Sequence, residues 1–191
     1  MSSAARRPHH SIEEYLELER ISNVRHEYLD GDIFAMGGGT FDHAGICGNL
    51  IVLLGAALRG RPCWVLTSDA RVRVRATGLD TYPDVSVVCG KAKMDPEDRH
   101  AVVNPVLLVE VTGPSSAGYD RGAKLEHYQR IEALREVLLI AHDEQRADVW
   151  RRQDDLSWRS ESYGPTGSVR LASLDCALSV AEIYRNPLSQ E

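Results

Sequence analysis

Two apolar runs that each carry one carboxylate at an end constrain this chain more than any other feature. Tyr82-Pro83-Asp84 leads into Val85, Val87 and Val88, and Val106-Leu107-Leu108-Val109-Glu110-Val111 holds its acid near the far end. Short continuous apolar runs of this kind read as buried strands, and a proline is tolerated at a strand entrance because the ladder has not yet begun. A charge at the end of a buried run is costly unless something neutralises it. If the two strands pair antiparallel across the loop from Gly90 to Pro105, the start of the first faces the end of the second, and Asp84 meets Glu110. Adjacent carboxylates repel unless a cation lies between them, and oxygen-only ligation suits Mg2+ or Mn2+ rather than zinc. Parallel pairing would put the acids at opposite ends and dissolve the site. Taken singly, each acid also reads as a solvated cap or a salt-bridge partner.

Downstream, Lys124 follows Asp120 by one helical turn, so the two project from one face of a helix that begins just after Glu110 and the Thr112 to Gly118 stretch. An ammonium near two carboxylates can orient or activate a water and offset charge building on a phosphorane, which is chemistry suited to phosphodiester hydrolysis. The competing reading of Asp120 and Lys124 is an exposed helix ion pair worth about 0.5 kcal/mol. Glu27, in Arg25-His26-Glu27-Tyr28 at a helix-to-strand junction, can complete a second metal shell or be an ordinary surface acid. Asp69 and His43 read as a turn residue and a first-turn helix residue. Gly37 to Thr40 lacks the lysine of a phosphate-binding loop and reads as a hinge.

The rest of the chain supplies a scaffold. Ser11 and Glu14 form a capping box ahead of a short helix to about Ile21. Asp30-Gly31 between apolar runs suits a two-residue hairpin turn. A second helix is expected over about Asp42 to Leu58, stopped by Gly60. Strand texture follows at Cys63 to Leu66, Arg71 to Arg75, Val85 to Cys89, Val106 to Val111 and Val137 to Ile140, with a helix over about Asp120 to Ile131 whose apolar side holds Leu125, Tyr128 and Ile131. Ala147 to Arg151 and Trp158 to Tyr163 read as a hairpin, and a capped helix opens at Ser179 with Glu182. Strands mixed with few helices, not in strict alternation, predict an α+β or mixed α/β sheet flanked by helices.

Composition bounds the function classes. The chain of 191 residues is long enough for one domain with a sizeable core. We expect a disordered leader over residues 1–10, a domain over 11–186 and a short tail over 187–191. No run approaches the roughly 18 apolar residues of a membrane span, and the leader lacks the apolar stretch of a secretion signal, so cytoplasmic residence is expected. Cys47, Cys63, Cys89 and Cys176 lack paired spacing and read as reduced core residues, and no two histidines have the spacing of a helical metal pair. The formal net charge of −6 opposes a general attraction to nucleic acid. Arg71, Arg73 and Arg75 alternate with Val72 and Val74, so they share one strand face and are either a local basic patch for backbone phosphate or a solvated sheet face.

The succession Arg25-His26-Glu27, Asp30-Gly31, Ser68-Asp69, Tyr82-Pro83-Asp84, Glu110-Val111 with Pro114-Ser115-Ser116, and Asp120-Arg121-Gly122 with Lys124 and Tyr128 resembles the Uma-type restriction endonuclease family of the PD-(D/E)xK nuclease superfamily. The match spans about Ser11 to Ile140. The resemblance implies a restriction-endonuclease-like central mixed sheet with flanking helices, and a metal held by Asp84 and Glu110. Glu27 matches an upstream acid that the superfamily often uses near the metal. The superfamily lysine would fall two residues after the second acid, where this chain has Thr112, so its role moves to Lys124 on the following helix.

The resulting expectation is a magnesium-dependent endonuclease acting on DNA. Asp84 and Glu110 hold the ion, Glu27 assists, Lys124 positions water, Asp120 and Tyr128 support, and Arg71, Arg73 and Arg75 contact phosphate. A homodimer is expected, with the hairpin near Trp150 and Trp158 offering an apolar contact. The rival from another class is a catalytically inactive nuclease-fold module that binds nucleic acid or a protein partner. A glycosidase acid pair is a third reading, weakened by the 6% of aromatic residues available for sugar stacking.

Overall fold

The computed structural model describes residues 9–113 and 122–189. Helix α1 (Ile12–Ile21) opens on the expected capping box, with the Glu14 N–H donating to Ser11 Oγ and the Ser11 N–H to Glu14 Oε2. Strands β1 (His26–Leu29) and β2 (Asp32–Ala35) form the hairpin, and its turn residues Asp30 and Gly31 take φ of 47° and 84°. Positive φ at both central positions matches the twist of the flanking strands, which is why this dipeptide suits the turn. Helix α2 (Phe41–Ala57) follows, capped by Thr40.

Strands β3 (Cys63–Thr67), β4 (Arg71–Val74), β5 (Leu79–Thr81), β6 (Val85–Cys89), β7 (Ala101–Val102) and β8 (Leu107–Thr112) precede the short helix α3 (Ala123–Tyr128). After it come β9 (Glu136–Ala141), β10 (Ala147–Arg152), β11 (Trp158–Tyr163), β12 (Ser168–Leu171), β13 (Cys176–Ser179) and α4 (Val180–Ile183). The described strands make a mixed six-stranded sheet in the order β11-β10-β9-β8-β6-β3, a five-stranded sheet β2-β1-β5-β4-β7, and the pair β12-β13. The architecture is mixed α+β, with β8 and β9 parallel and β6 and β8 antiparallel.

Side-chain alternation along β8 sorts the two cores. Leu107, Val109 and Val111 enter a core that contains Ile46, Leu50 and Leu54 of α2, while Leu108 enters a second core with Val72, Val74 and Leu79 of the five-stranded sheet and Leu125 and Tyr128 of α3. Glu110, two residues after Leu108, therefore faces the second core, on the side where α3 packs.

Two expectations are corrected. Cys63 and Cys89 are not reduced: they are register partners across β3 and β6 and form a disulfide, while Cys47 and Cys176 are free. Cross-strand pairing leaves no signature in sequence spacing, which is why the pair reads as two unrelated core residues. The second correction concerns Arg71, Arg73 and Arg75, which form neither an open basic patch nor a solvated face. Arg71 is 7% exposed and pairs with Asp98 at 2.7 Å and Glu19 at 3.7 Å. Arg73 pairs with Asp80 at 2.7 Å and with Glu97 at 3.4 Å, and Arg75, the exposed member, reaches Asp95 at 3.4 Å. The arginine face of β4 is covered by α1 and the 95–98 segment, so acids from those elements already neutralise it. Trp150 and Trp158 pack against the second core, and the Arg152 guanidinium lies 5.2 Å from the Trp158 ring centroid.

Candidate active site

The antiparallel register pairs Val85 with Val109, Ser86 with Leu108 and Val87 with Leu107, so Asp84, immediately before β6, lies at the end of the sheet where β8 carries Glu110. The two acids lie at one end of the six-stranded sheet, as the strand reading requires. Asp84 Oδ2 accepts the Val111 N–H at 2.7 Å, continuing the ladder through a side chain, and lies 3.2 Å from His43 Nε2 of α2. Glu110 Oε1 accepts the Tyr128 hydroxyl and lies 3.0 Å from Lys124 Nζ. The same ammonium is 2.9 Å from Glu27 Oε1, and the Thr81 hydroxyl also donates to Glu27.

Lys124 thus bridges Glu27 of β1 and Glu110 of β8, bringing both sheets and α3 to one point. Its side chain is 6% exposed, as is that of Glu110, with Glu27 at 13%. Burying charge this deeply costs several kcal/mol per ion unless each is paired, and the carboxylate–ammonium–carboxylate arrangement meets that condition. Lys124 Nζ also sits 5.9 Å from the Tyr128 ring centroid. Burial, reinforced by the Glu110 charge, pushes the Tyr128 hydroxyl well above its ordinary pKa, so it stays a donor to that carboxylate. The hydrogen bond to Asp84, with help from Cys47, pushes His43 up to about 10 against its partial burial, which favours imidazolium at neutral pH.

The cluster opens on a cleft of about 410 Å³ bordered by Glu27, Asp84, Glu110 and Lys124, with Gly37 to Gly39, His43 and His142 on its other walls. The acid donors are all carboxylate oxygens, the set preferred by a hard divalent ion. Glu27 and Glu110 already hold one ammonium within 3.0 Å, so a cation bound here would share these carboxylates with Lys124. Thr112 lies two residues after Glu110 on β8 and is buried, and α3 supplies the lysine to the same acid instead. Asp120 lies outside the described residues.

Two residues that read from sequence as a first-turn helix residue and a reduced core residue stand beside the acids. His43 touches Asp84, and Cys47, one turn further along α2, lies with its Sγ 3.7 Å from His43 Nδ1. The signal was present as a His and a Cys four residues apart, which share a helix face; a search for histidine pairs alone passes over it.

The fold and its acid–lysine cluster define a restriction-endonuclease-like α+β protein. A structure from Anabaena variabilis ATCC 29413, described as "a putative nuclease belonging to DUF820", superposes with a TM-score of 0.73, covering 90% of this chain and 96% of that chain at 19% identity. The family model described as "Putative restriction endonuclease" matches residues 12–181, and the chain belongs to this family, Uma2. Two Synechocystis sp. relatives agree in extent: "Uncharacterized protein slr1290" is 36% identical over 96% of this chain and 96% of its own length, and "Uncharacterized protein sll1609" is 31% identical over 76% and 82%. No described helix is long and apolar enough to cross a membrane.

Proposed function

We propose that the chain is a magnesium- or manganese-dependent endonuclease that hydrolyses DNA phosphodiester bonds. The observation that carries this reading is the convergence of Asp84, Glu110, Glu27 and Lys124 on one cleft, with Lys124 Nζ 3.0 Å from Glu110 Oε1. Membership of a family described as "Putative restriction endonuclease" supports it. Asp84 and Glu110 would hold the ion, with Glu27 assisting. When bound, the ion supplies Lewis-acid polarisation of the phosphoryl group and a more acidic water.

The protein's own groups perform the remaining tasks. The Val111 N–H and His43 fix Asp84, and Tyr128 fixes Glu110, so the two acids need little reordering to act together. Lys124 donates to the attacking water and offsets the negative charge that builds on the phosphoryl oxygens. Glu27, 2.9 Å from that ammonium, keeps it aimed at the cleft. With a net charge of −6 and its three clustered arginines each paired with an acid, the protein gains little from long-range steering, and DNA affinity rests on the cation and local contacts.

Purified protein with Mg2+ or Mn2+ is expected to nick supercoiled plasmid, and Asp84→Ala and Glu110→Ala each to abolish nicking. Undiminished activity in both variants would remove this site from consideration. A second reading, a nuclease-fold module without catalysis that binds nucleic acid or a protein, is favoured by the way Lys124 already joins Glu27 and Glu110. Such a module produces no heat on titration with Mg2+, whereas the enzyme does.

A further inference from the structure

His43, Cys47 and Asp84 are gathered so that one ligand atom from each lies within 4.8 Å of the others. Two come from one face of α2, four residues apart, and the third from the mouth of β6. His43 Nε2 is 3.2 Å from Asp84 Oδ2, and His43 Nδ1 is 3.7 Å from Cys47 Sγ. A tetrahedral zinc ion has bonds of about 2.0–2.3 Å to such donors, which puts its ligand atoms roughly 3.3–3.6 Å apart. Those two contacts fall on different ring nitrogens, so the bound for one atom of each residue is 4.8 Å, and an ion would draw the three inward to the zinc spacing. A cleft of about 680 Å³ bordered by Gly37 to Gly39 opens onto the trio, leaving room for a solvent ligand at a fourth position.

We propose that His43, Cys47 and Asp84 form a second metal site, selective for a borderline divalent ion of the zinc class, which competes with the hard ion for Asp84. One sulfur, one imidazole nitrogen and one carboxylate oxygen make a donor set that Mg2+ does not favour and Zn2+ or Co2+ does. Burial pushes the Cys47 thiol up and the Asp84 contact pushes His43 up, so the metal must displace a proton from each, and metal binding in general supplies that free energy. Inhibition by zinc follows from the shared carboxylate and rests on the proposed nuclease activity; metal binding itself does not.

The test uses the full chain in a Cys176→Ser background, where Cys47 is the remaining free thiol. Titration with Co2+ is expected to produce a near-ultraviolet thiolate-to-cobalt charge-transfer band saturating at one equivalent, and the band is expected to vanish in Cys47→Ser and in His43→Ala. In the unsubstituted chain, Zn2+ is expected to slow alkylation of Cys47 by iodoacetamide at least tenfold, read by mass spectrometry, which keeps the test valid where a variant fails to fold. No band and no protection would overturn the site. A band with plasmid nicking undiminished by equimolar Zn2+ would overturn the shared use of Asp84, and a band in a chain that never nicks would uphold the metal site while the nuclease reading fails.

Discussion

Two buried clusters of charge in this protein are built differently. In the first, Glu27, Glu110 and Asp84 gather around Lys124 and His43 at the lip of the six-stranded sheet and open on a cleft. In the second, Arg71 and Arg73 of β4 are matched to Glu19, Asp80, Asp95 and Asp98, with the Arg71 guanidinium 5.6 Å from the Tyr15 ring centroid and 5.8 Å from that of Tyr82. The guanidinium is a planar fork that holds several acids at once and is always charged, whereas an ammonium is a compact point charge on a flexible stem. The arginine cluster is therefore a fastener joining α1 and the 95–98 segment to the five-stranded sheet. The lysine cluster differs in its setting, since its acids and ammonium border a cleft that a ligand can reach.

Substitutions should separate the two. In the open cluster, Glu110→Gln is expected to cut metal-dependent nicking by about 1,000-fold, equivalent to about 4 kcal/mol of lost transition-state stabilisation. Its melting temperature should fall less than that of Arg71→Met, since Glu27 still holds the Lys124 ammonium at 2.9 Å; an equal fall would make Glu110 a fastener as well. In the arginine cluster, Arg71→Met leaves Asp98 without its cation and Glu19 with its His26 contact at 2.8 Å, and is expected to cost about 3–5 kcal/mol by denaturant unfolding. Retention of full stability would contradict the contrast.

Smaller effects sharpen it. The Cys63–Cys89 disulfide closes a loop of sequence separation 26 and staples β3 to β6, the strand that presents Asp84. Replacing both cysteines by serine is expected to cost about 3 kcal/mol of stability on the loop-entropy scale, with nicking retained below the new melting temperature. A further effect is in pH dependence. Burial raises Asp80 to about 7 despite the nearby Arg73 guanidinium. An unfolded Asp titrates near 3.9, so between about pH 4 and 7 the folded state binds more protons, and stability falls as pH rises through that window. Asp80→Asn should remove that fall, and denaturant unfolding of the two proteins across the window checks it; parallel profiles would show that Asp80 stays ionised throughout.

The parts of the fold legible in the sequence are those dictated locally. Ser11 with Glu14 marks a helix start, Asp30-Gly31 demands positive φ, and the apolar runs at Val85 and Val106 fix strands whose antiparallel pairing puts Asp84 and Glu110 at the same end of the sheet. The approach of Lys124 to Glu110 was also readable, because helix spacing directs it toward the acids. What could not be read depends on tertiary covering. Strands β5, β7, β12 and β13 are only two to four residues long, too short for periodicity to register. The arginine face of β4 reads as exposed because the acids that bury it come from distant segments. His43 reads as an ordinary helix residue until the start of β6 is set against α2.

Calorimetric titration of the metal-free protein with Mn2+ tests the central claim most directly. Wild-type protein should give a saturable heat that disappears in Asp84→Asn and Glu110→Gln and persists in Arg73→Lys, all compared below their melting temperatures. Equal heats in wild type and in both acid variants would mean that these carboxylates do not hold a divalent ion, and the nuclease reading would fall with them.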